Sequence, residues 1–486
     1  MEEKKKFDFN ALIGFVLIGG IILYMMSTGN DDETPEAENS QTQTEDVSIP
    51  EPEGLDATDT ADFTADGQNK VNSDSVAMAR KYDEFGSFAY SASLPSAKDD
   101  VSVLENELLK IKVGNKGGEI KEVTLKQIPS ELDPNSPPVQ IIKNDNSSLN
   151  LEFFTTDNKK LNTGDLYFEP SLTESDGTSL LSMKLKVSED RYLEYVYTLK
   201  PDEYMMDFTI RSQGLKNIVH QAEPVKLNWK LKAYSEDKSI SYENRYTESV
   251  WLYQGNKTSS QQASSTKEDE DNDVSWIAYR QHFFSSILLT DHPFEKAKIS
   301  SKNLVDDEDI DTVFTKSFAS TIPLKLKGGE LNENLNLYYG PSDYKTLKSY
   351  GRELDEIVPM GWGIFGWLNK LVFVPVLGFL MQYFPAGIAI IVLTIFVKIL
   401  MSPVQYKQFL SQAKMKILRP EIEEVNKKYK DDQMKRQKET MAINRKAGVN
   451  PASGCLVGLI QMPIFIALFR LFPSVFDLRH ESFLWA

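Results

Sequence analysis

Two apolar runs in the last hundred residues are each long enough to cross roughly 30 Å of hydrocarbon as a helix. The first, PAGIAIIVLTIFVKIL, contains Lys398, and the second, CLVGLIQMPIFIALFRLF, contains Gln461. A cation or an amide is costly in lipid unless it faces water or protein. The pattern therefore predicts transmembrane helices at residues 384–402 and 451–474 that carry a polar surface inside the membrane.

A third apolar run, residues 11–26, lies near the amino terminus. Three lysines precede it and three acidic residues follow it, which predicts a cytoplasmic amino terminus. No clear small-residue cleavage site follows the run, and this favours a retained anchor, residues 1–29, over a cleaved signal peptide. Residues 30–83 are rich in Asp, Glu, Thr, Ser and Pro and have too little apolar surface to offset the entropy of ordering. They are predicted to form a disordered acidic linker.

In the middle of the chain, apolar positions alternate with polar ones, which indicates strands with one buried and one wet face. Turn signals rich in glycine separate these runs at residues 115–118, 175–177 and 327–329. Many short strands without helical patterns between them predict an all-β sandwich at residues 84–350. Within it, the acidic and serine-rich residues 261–275 are expected to form a mobile loop. The alternation is clearest in Leu109, Ile111 and Val113; in Leu181, Met183, Leu185 and Val187; and in Leu193, Tyr195, Tyr197 and Leu199.

The apolar stretch at residues 361–382 is predicted to lie in the membrane interface as an amphipathic helix. If it crossed the bilayer, the basic loop at residues 403–450 would face outward, against the preference of Lys and Arg for the cytoplasmic side. In the interface its two tryptophans lie at headgroup depth, and Asn369 and Lys370 face water.

The polar segment at residues 403–450 contains twelve Lys or Arg residues and is predicted to form a two-helix hairpin on the cytoplasmic face. Asp431 and Asp432 supply the turn and the N-cap between the two helices. Two interpretations stay open: the charge serves membrane topology alone, or it is a landing surface for an acidic or RNA-rich partner such as a ribosome. The candidate docking residues are Lys414, Lys416, Arg419, Lys427, Lys428, Lys435 and Arg436.

Composition and short motifs limit the functions that the chain can have. The formal net charge is −17. The segment after the first apolar run is acidic and the late loop is basic, and this distribution favours membrane topology over DNA binding. A single cysteine, Cys455, excludes an intrachain disulfide. The sequence has no HExxH, no Cys or His pair at metal spacing, no glycine-rich phosphate loop and no GxSxG elbow. The chain is therefore expected to be no enzyme and to need no metal or cofactor.

Four stretches carry a more specific signal. LTIFVKILMSPVQYKQFLSQAKMKILRPEIEEVNKKYKDD is followed by GVNPASGCLVGLIQMPIFIALFRLF, in which NPxxGC and QMPIFxAL are specific at their spacing. These resemble the YidC/Oxa/Alb family of membrane protein insertases. SWIAYRQHFFSSIL (275–288) and LYYGPSDYKTLKSYG (337–351) are similar to the large periplasmic domain of its Gram-negative YidC branch. The resemblance implies a multidomain membrane protein, with an all-β periplasmic sandwich and an α-helical transmembrane insertase core.

The resemblance also implies a site. The family has a five-helix core with a hydrophilic groove, and its T-x-x-x-[RK] motif assigns the groove cation to Lys398 and a substrate contact to Thr394. Gln461, Met462 and Phe465 match positions along the substrate path. Family members often carry arginine at the cation position, and lysine keeps the charge without the planar fork. From the residues alone, a snorkelling role for Lys398 and a helix–helix hydrogen bond for Gln461 stay open.

The function implied is insertion and folding of integral membrane proteins in the cell inner membrane, alone or with the Sec translocon. The implied partners are nascent membrane proteins, membrane lipids, the ribosome and the signal-recognition machinery. A different hypothesis is a membrane-anchored β-sandwich that binds carbohydrate or a partner protein. It predicts that deleting most of residues 84–345 abolishes function, whereas the insertase hypothesis predicts tolerance. Because the family core has two further helices, residues 475–486 are expected to be a periplasmic loop at which the core is truncated.

Overall fold

The computed structural model describes residues 68–130, 135–261, 266–448, 453–479 and 481. The predicted anchor at residues 1–29 and the first part of the predicted linker lie outside the described residues. The chain divides into two compact units, each described here by itself: Gly67–Ser402 with Pro463–Ala486, and Met1–Asp66 with Pro403–Met462.

The first unit contains the strands. They are β1 Val101–Glu105, β2 Leu109–Gly114, β3 Ile120–Pro129, β4 Pro138–Ile142, β5 Ser147–Phe154, β6 Lys160–Asn162, β7 Glu169–Ser175, β8 Thr178–Ser188, β9 Arg191–Leu199, β10 Met205–Gln213, β11 Val225–Tyr234, β12 Glu248–Tyr253, β13 Lys257–Gln261, β14 Lys267–Arg280, β15 Phe284–Asn303, β16 Phe314–Leu324 and β17 Asn332–Pro341.

Helices precede, interrupt and follow these strands along the chain. They are α1 Gln68–Phe85, α2 Ile240–Tyr246, α3 Tyr344–Ser349, α4 Gly363–Leu368, α5 Val374–Leu380, α6 Ala386–Lys428, α7 Gln433–Lys446 and α8 Ser453–Leu471. A π-helical turn, Asn369–Phe373, joins α4 to α5.

The strands form two antiparallel sheets, which confirms the all-β sandwich. One sheet has the order β1-β2-β3-β4, and the other has the main path β6-β5-β11-β16-β15-β17-β10-β9-β8-β7. Strand β15 is long enough to pair with β14, β16 and β17, and the large sheet therefore branches there through β14 to β12 and β13. We call residues 101–341 the β-domain.

The alternating residues lie where the sequence predicts. Leu109, Ile111 and Val113 have no measurable exposure, whereas the lysines between them are half-buried. The turn at residues 115–118 uses two glycines with positive φ, +85° at Gly117 and +62° at Gly118. A Cβ on Gly118 would lie 3.0 Å from the ring of Phe168, and the Gly118 carbonyl accepts the Tyr197 hydroxyl at 2.7 Å. Glycine is therefore required there by both backbone conformation and packing.

Two predictions of disorder are wrong. Residues 68–83 of the predicted linker belong to helix α1, whose last carbonyls accept Lys159 Nζ at 2.8 and 2.9 Å. Residues 267–275 of the predicted mobile loop belong to β14 and pair with β15. Two glutamates of β14 pair diagonally with lysines of β15, in Glu268–Lys298 and Glu270–Lys296 ion pairs of 2.7 Å each. Opposite charges across a strand pair favour the sheet.

A second apolar cluster continues from the β-domain into the helices of the same unit. It joins buried residues of β12, β14, β15 and β17, such as Trp276 and Leu289, to Ile357, Phe373 and Leu393 in the segments that follow. The β-domain and these helices therefore share one packed core, because a single contiguous cluster includes both.

The second unit contains the helical residues of the basic segment. Helix α6 continues without a break past residue 402 to Lys428, with Pro403 and Pro420 inside it. The predicted boundary between a membrane helix and the basic segment is thus not a helix end. Helix α7 begins after Asp432, whose Oδ1 accepts the Lys435 backbone N–H at 3.0 Å. The predicted N-cap is confirmed at Asp432.

Candidate functional site

Helix α6 has one buried face and one exposed face in its first half. The buried positions, Ala386, Ala389, Leu393, Val397 and Met401, follow the spacing of one helix face. Thr394 and Lys398 each come one position after a buried residue and are exposed. Because they are four residues apart, their side chains lie one above the other on the same face.

The polar groups of this face have different environments. Thr394 Oγ1 donates to the Ile390 carbonyl at 2.8 Å, so the hydroxyl is satisfied within its own helix. Lys398 Nζ has no ion-pair or hydrogen-bond partner among the residues that the structure describes. An unpaired ammonium group on an apolar helix is available to attract an anionic group.

The candidate residues of the last apolar run lie on helix α8. Gln461 and Phe465 are exposed and Met462 is half-buried. The Phe465 ring stacks on Phe469 with centroids 6.3 Å apart. Gln461 and Met462 belong to the unit that contains residues 403–462, and Phe465 belongs to the other unit. That these residues line one groove with Lys398 stays a prediction.

The structure also shows a polar residue whose role the sequence analysis missed. Asn369 was predicted to face water, and this is wrong, because its side chain is fully buried. Asn369 Nδ2 donates to the carbonyls of Met360 and Ala467, both at 2.7 Å, and thereby joins the α4–α5 segment to α8. A single amide in an apolar run was the available signal, since such groups in membrane helices are commonly buried between helices.

The neighbouring Lys370 is only half-buried. Its Nζ pairs with Glu356 at 2.5 Å and with Asp355 at 3.7 Å, both in the turn before α4. The prediction that Lys370 is directed to the polar side of this segment is therefore consistent with its acidic partners.

The candidate docking residues form an exposed basic surface on α6 and α7. Lys414, Lys416, Arg419, Lys427, Lys428 and Lys435 are exposed, and Arg436 is half-buried. Their acidic neighbours neutralise little of this charge: Arg419 pairs with Glu423 at 3.4 Å and Lys435 with Asp432 at 3.5 Å. Both pairs are mostly exposed, and such pairs contribute little to stability.

Two helical stretches among the described residues are long and apolar enough to cross a membrane. They are Gly363–Leu380, with mean hydropathy 1.6, and Ala386–Lys428, whose most apolar window has mean hydropathy 2.3; Gly458–Ser474 is a shorter apolar helix. The interfacial placement of residues 361–382 therefore stays a prediction, because length and composition also permit a span.

A β-sandwich continuous with apolar helices that carry isolated polar groups defines a membrane protein with a large extramembrane domain. A family model described as "YidC periplasmic domain" matches residues 102–375, and one described as "60Kd inner membrane protein" matches residues 379–486. The chain belongs to the YidC family of membrane protein insertases. The resemblance carried by the sequence motifs is confirmed.

Named relatives agree with this assignment. The membrane protein insertase YidC of Parabacteroides distasonis is 35% identical over 99% of this chain and 76% of its own length. The insertase of Porphyromonas gingivalis is 32% identical over 99% of this chain and 76% of its own length. A solved structure described as an active YidC insertase with its first transmembrane domain resolved is 18% identical, with a TM-score of 0.30, over 85% of this chain and 81% of that chain.

Proposed function

We propose that this chain inserts membrane proteins and assists their folding, with Lys398 and Thr394 as part of the surface that substrates contact. The observation that carries the proposal is the exposed Lys398 next to Thr394 on an apolar helix of a chain in this family, with no ion-pair or hydrogen-bond partner for Lys398 among the described residues. Gln461, Met462 and Phe465 on α8 are further residues that we propose substrates contact.

The proposed mechanism needs no covalent step. A substrate brings an apolar helix with a short polar or acidic flank, and moving that flank through hydrocarbon costs several kcal/mol per charge. A polar surface within the membrane shortens the distance that the flank must cross in hydrocarbon. Lys398 attracts the flank transiently. The substrate helix then leaves sideways into lipid, driven by roughly 25 cal/mol per Å² of apolar area removed from water.

We further infer the location and the partners. The chain is a multi-pass protein of the cell inner membrane with its amino terminus in the cytoplasm and the β-domain in the periplasm. The membrane potential then favours outward movement of anionic flanks by about 2.3 kcal/mol per charge per 100 mV. The basic surface on α6 and α7 faces the cytoplasm and meets the ribosome and the signal-recognition machinery, and the Sec translocon shares substrates with the chain.

The test is complementation of a depleted strain with the full-length gene carrying Lys398→Ala. We expect insertion of a dependent substrate with an acidic flank to fall several-fold, because the attraction for the flank is lost. Lys398→Arg is the matched control and should retain insertion, since it keeps the charge. Full insertion by Lys398→Ala would assign this lysine to anchoring the helix end and would remove it from the site.

A further inference from the structure

Three consecutive polar residues at the end of β14 are nearly excluded from solvent. Arg280, Gln281 and His282 are 3%, 2% and 8% exposed. They lie within the SWIAYRQHFFSSIL stretch, and the proposed insertion mechanism does not use them. Gln281 Nε2 donates to the Tyr234 carbonyl at 2.6 Å and so joins the end of β14 to the end of β11. The two residues beside it contact segments outside the β-domain.

Arg280 contacts the segment that leads into α4. Its Nη1 donates to the Ile357 carbonyl at 2.8 Å, and its Nη2 is paired with the carboxylate of Glu248. Ile357 lies in the turn Leu354–Ile357, six residues before the start of α4. The buried guanidinium thus binds the backbone just before the chain enters its apolar helices, with Glu248 balancing the charge.

His282 contacts the segment that leaves α8. Its Nε2 lies 2.8 Å from the Pro473 carbonyl oxygen, and its Nδ1 lies 2.5 Å from Asp237 Oδ2. The ring stacks on Tyr246 with centroids 4.6 Å apart. Pro473 follows α8 by two residues, so this contact holds the other end of the apolar region.

The Pro473 carbonyl oxygen only accepts hydrogen bonds, so His282 Nε2 is the donor in this contact. The contact of Nδ1 with Asp237 orients the ring toward Pro473.

We propose that Arg280 and His282 are positioning residues that fix the β-domain to both ends of the apolar helical region. We call this pair of contacts the β-domain clamp. It rests on the contacts of Arg280 with Ile357 and of His282 with Pro473, and it holds whether or not the chain inserts proteins.

Arg479 belongs to the same segment as Pro473. Its Nη1 and Nη2 donate to the carbonyls of Pro129 and Ser130 at 2.9 and 3.2 Å, and its guanidinium lies 5.1 Å from the centre of the Phe284 ring. These contacts do not depend on His282. Loss of the His282 contact would therefore loosen the segment after α8 without releasing it entirely.

The experiment measures amide hydrogen exchange of residues 472–479 in the full chain, held in lipid nanodiscs, for the wild type and for His282→Phe. The variant removes the donor to the Pro473 carbonyl but keeps an aromatic ring beside Tyr246, so this segment should exchange roughly tenfold faster, the worth of one hydrogen bond. Equal rates in the wild type and in His282→Phe would overturn the His282 half of the proposal.

A matched variant separates this contact from general loosening. In His282→Gln the amide still donates to the Pro473 carbonyl, so protection of residues 472–479 should persist. Protection lost equally in His282→Gln and His282→Phe would overturn the assignment of the effect to the hydrogen bond with Pro473.

The Arg280 contact has its own test. Arg280→Lys keeps a cation beside Glu248 but removes the planar fork that also reaches Ile357. Exchange of residues 354–360 should rise while exchange of residues 472–479 stays unchanged, and protection of strand β2 serves as the control for folding. Unchanged exchange of residues 354–360 would show that Arg280 does not hold this segment.

Discussion

At the residue scale, an ionisable side chain of α2, Glu243, is buried where this helix packs on the strands of the β-domain. Glu243 is 1% exposed, and its Oε2 accepts the Ser235 hydroxyl and two backbone N–H groups. Burial nevertheless raises the pKa of Glu243 from 4.5 to about 8, with Asp237 nearby adding to the shift. Desolvation of the carboxylate thus outweighs its hydrogen bonds.

This raised pKa predicts how stability changes with pH. Between about pH 4.5 and about pH 8, the folded chain holds a proton on Glu243 that the unfolded chain releases. The free energy of unfolding should therefore fall as pH rises through this window, by an amount on the order of a few kcal/mol. Glu243→Gln should flatten the decline and raise the thermal midpoint at pH 8, as measured by tryptophan fluorescence.

Glu308→Gln is the matched control, since Glu308 is exposed and its replacement should leave the profile unchanged. A Glu243→Gln profile that declines as steeply as that of the wild type would show that another group titrates.

At the scale of elements, the basic surface lies on two helices, α6 and α7. Both helices are regular over the charged positions, and the N-cap of α7 is satisfied by Asp432. Residues 403–448 contain twelve basic and six acidic side chains, so the surface keeps a positive excess. Such an excess attracts RNA-rich partners in a salt-dependent way.

We therefore expect Lys427→Glu, Lys428→Glu and Lys435→Glu together to weaken ribosome binding about tenfold at low salt, with a smaller difference at high salt. The control changes the same net charge on exposed lysines of the β-domain: Lys230→Glu, Lys257→Glu and Lys267→Glu. Co-sedimentation of ribosomes with nanodiscs measures the effect. Equal binding by both triple variants would leave membrane topology as the role of this charge.

At the scale of the whole molecule, the apolar cluster that the β-domain shares with the helices changes one expectation from the sequence. Deletion of most of residues 84–345 was predicted to be tolerated by an insertase. Trp276, with no measurable exposure, packs in the core shared with Ile357 and Phe373, and its Nε1 donates to the Arg352 carbonyl at 3.0 Å. Such a deletion would therefore expose apolar surface on the segments that lead into the helices.

A matched pair of substitutions tests this coupling. Trp276 lies in the shared core, whereas Trp229, equally buried, lies in the core of the β-domain and stacks on Tyr279 with ring centroids 3.9 Å apart. Replacing either residue with Phe leaves a cavity of similar size. Trp276→Phe should speed hydrogen exchange in residues 354–377, and Trp229→Phe should not. Equal effects of the two would contradict a core that couples the β-domain to the helices.

Local signals were enough to predict the β-sandwich, its glycine turns, the N-cap at Asp432 and the family: period-two alternation, residues with special backbone freedom, or a fixed motif. Lys398 was visible as a charge in an apolar run, and the family motif added Thr394.

Contacts between distant residues could be seen only in the folded chain. Lys159 binds carbonyls near the end of α1, Lys298 pairs with Glu268 of β14, and Asn369 donates to the backbone of α8. His282 likewise contacts Pro473, which lies 191 residues further along the chain. For the buried groups, Asn369 and His282, the physical reason is that a buried polar group must find a partner, and the partner's position is set by folding rather than by sequence distance.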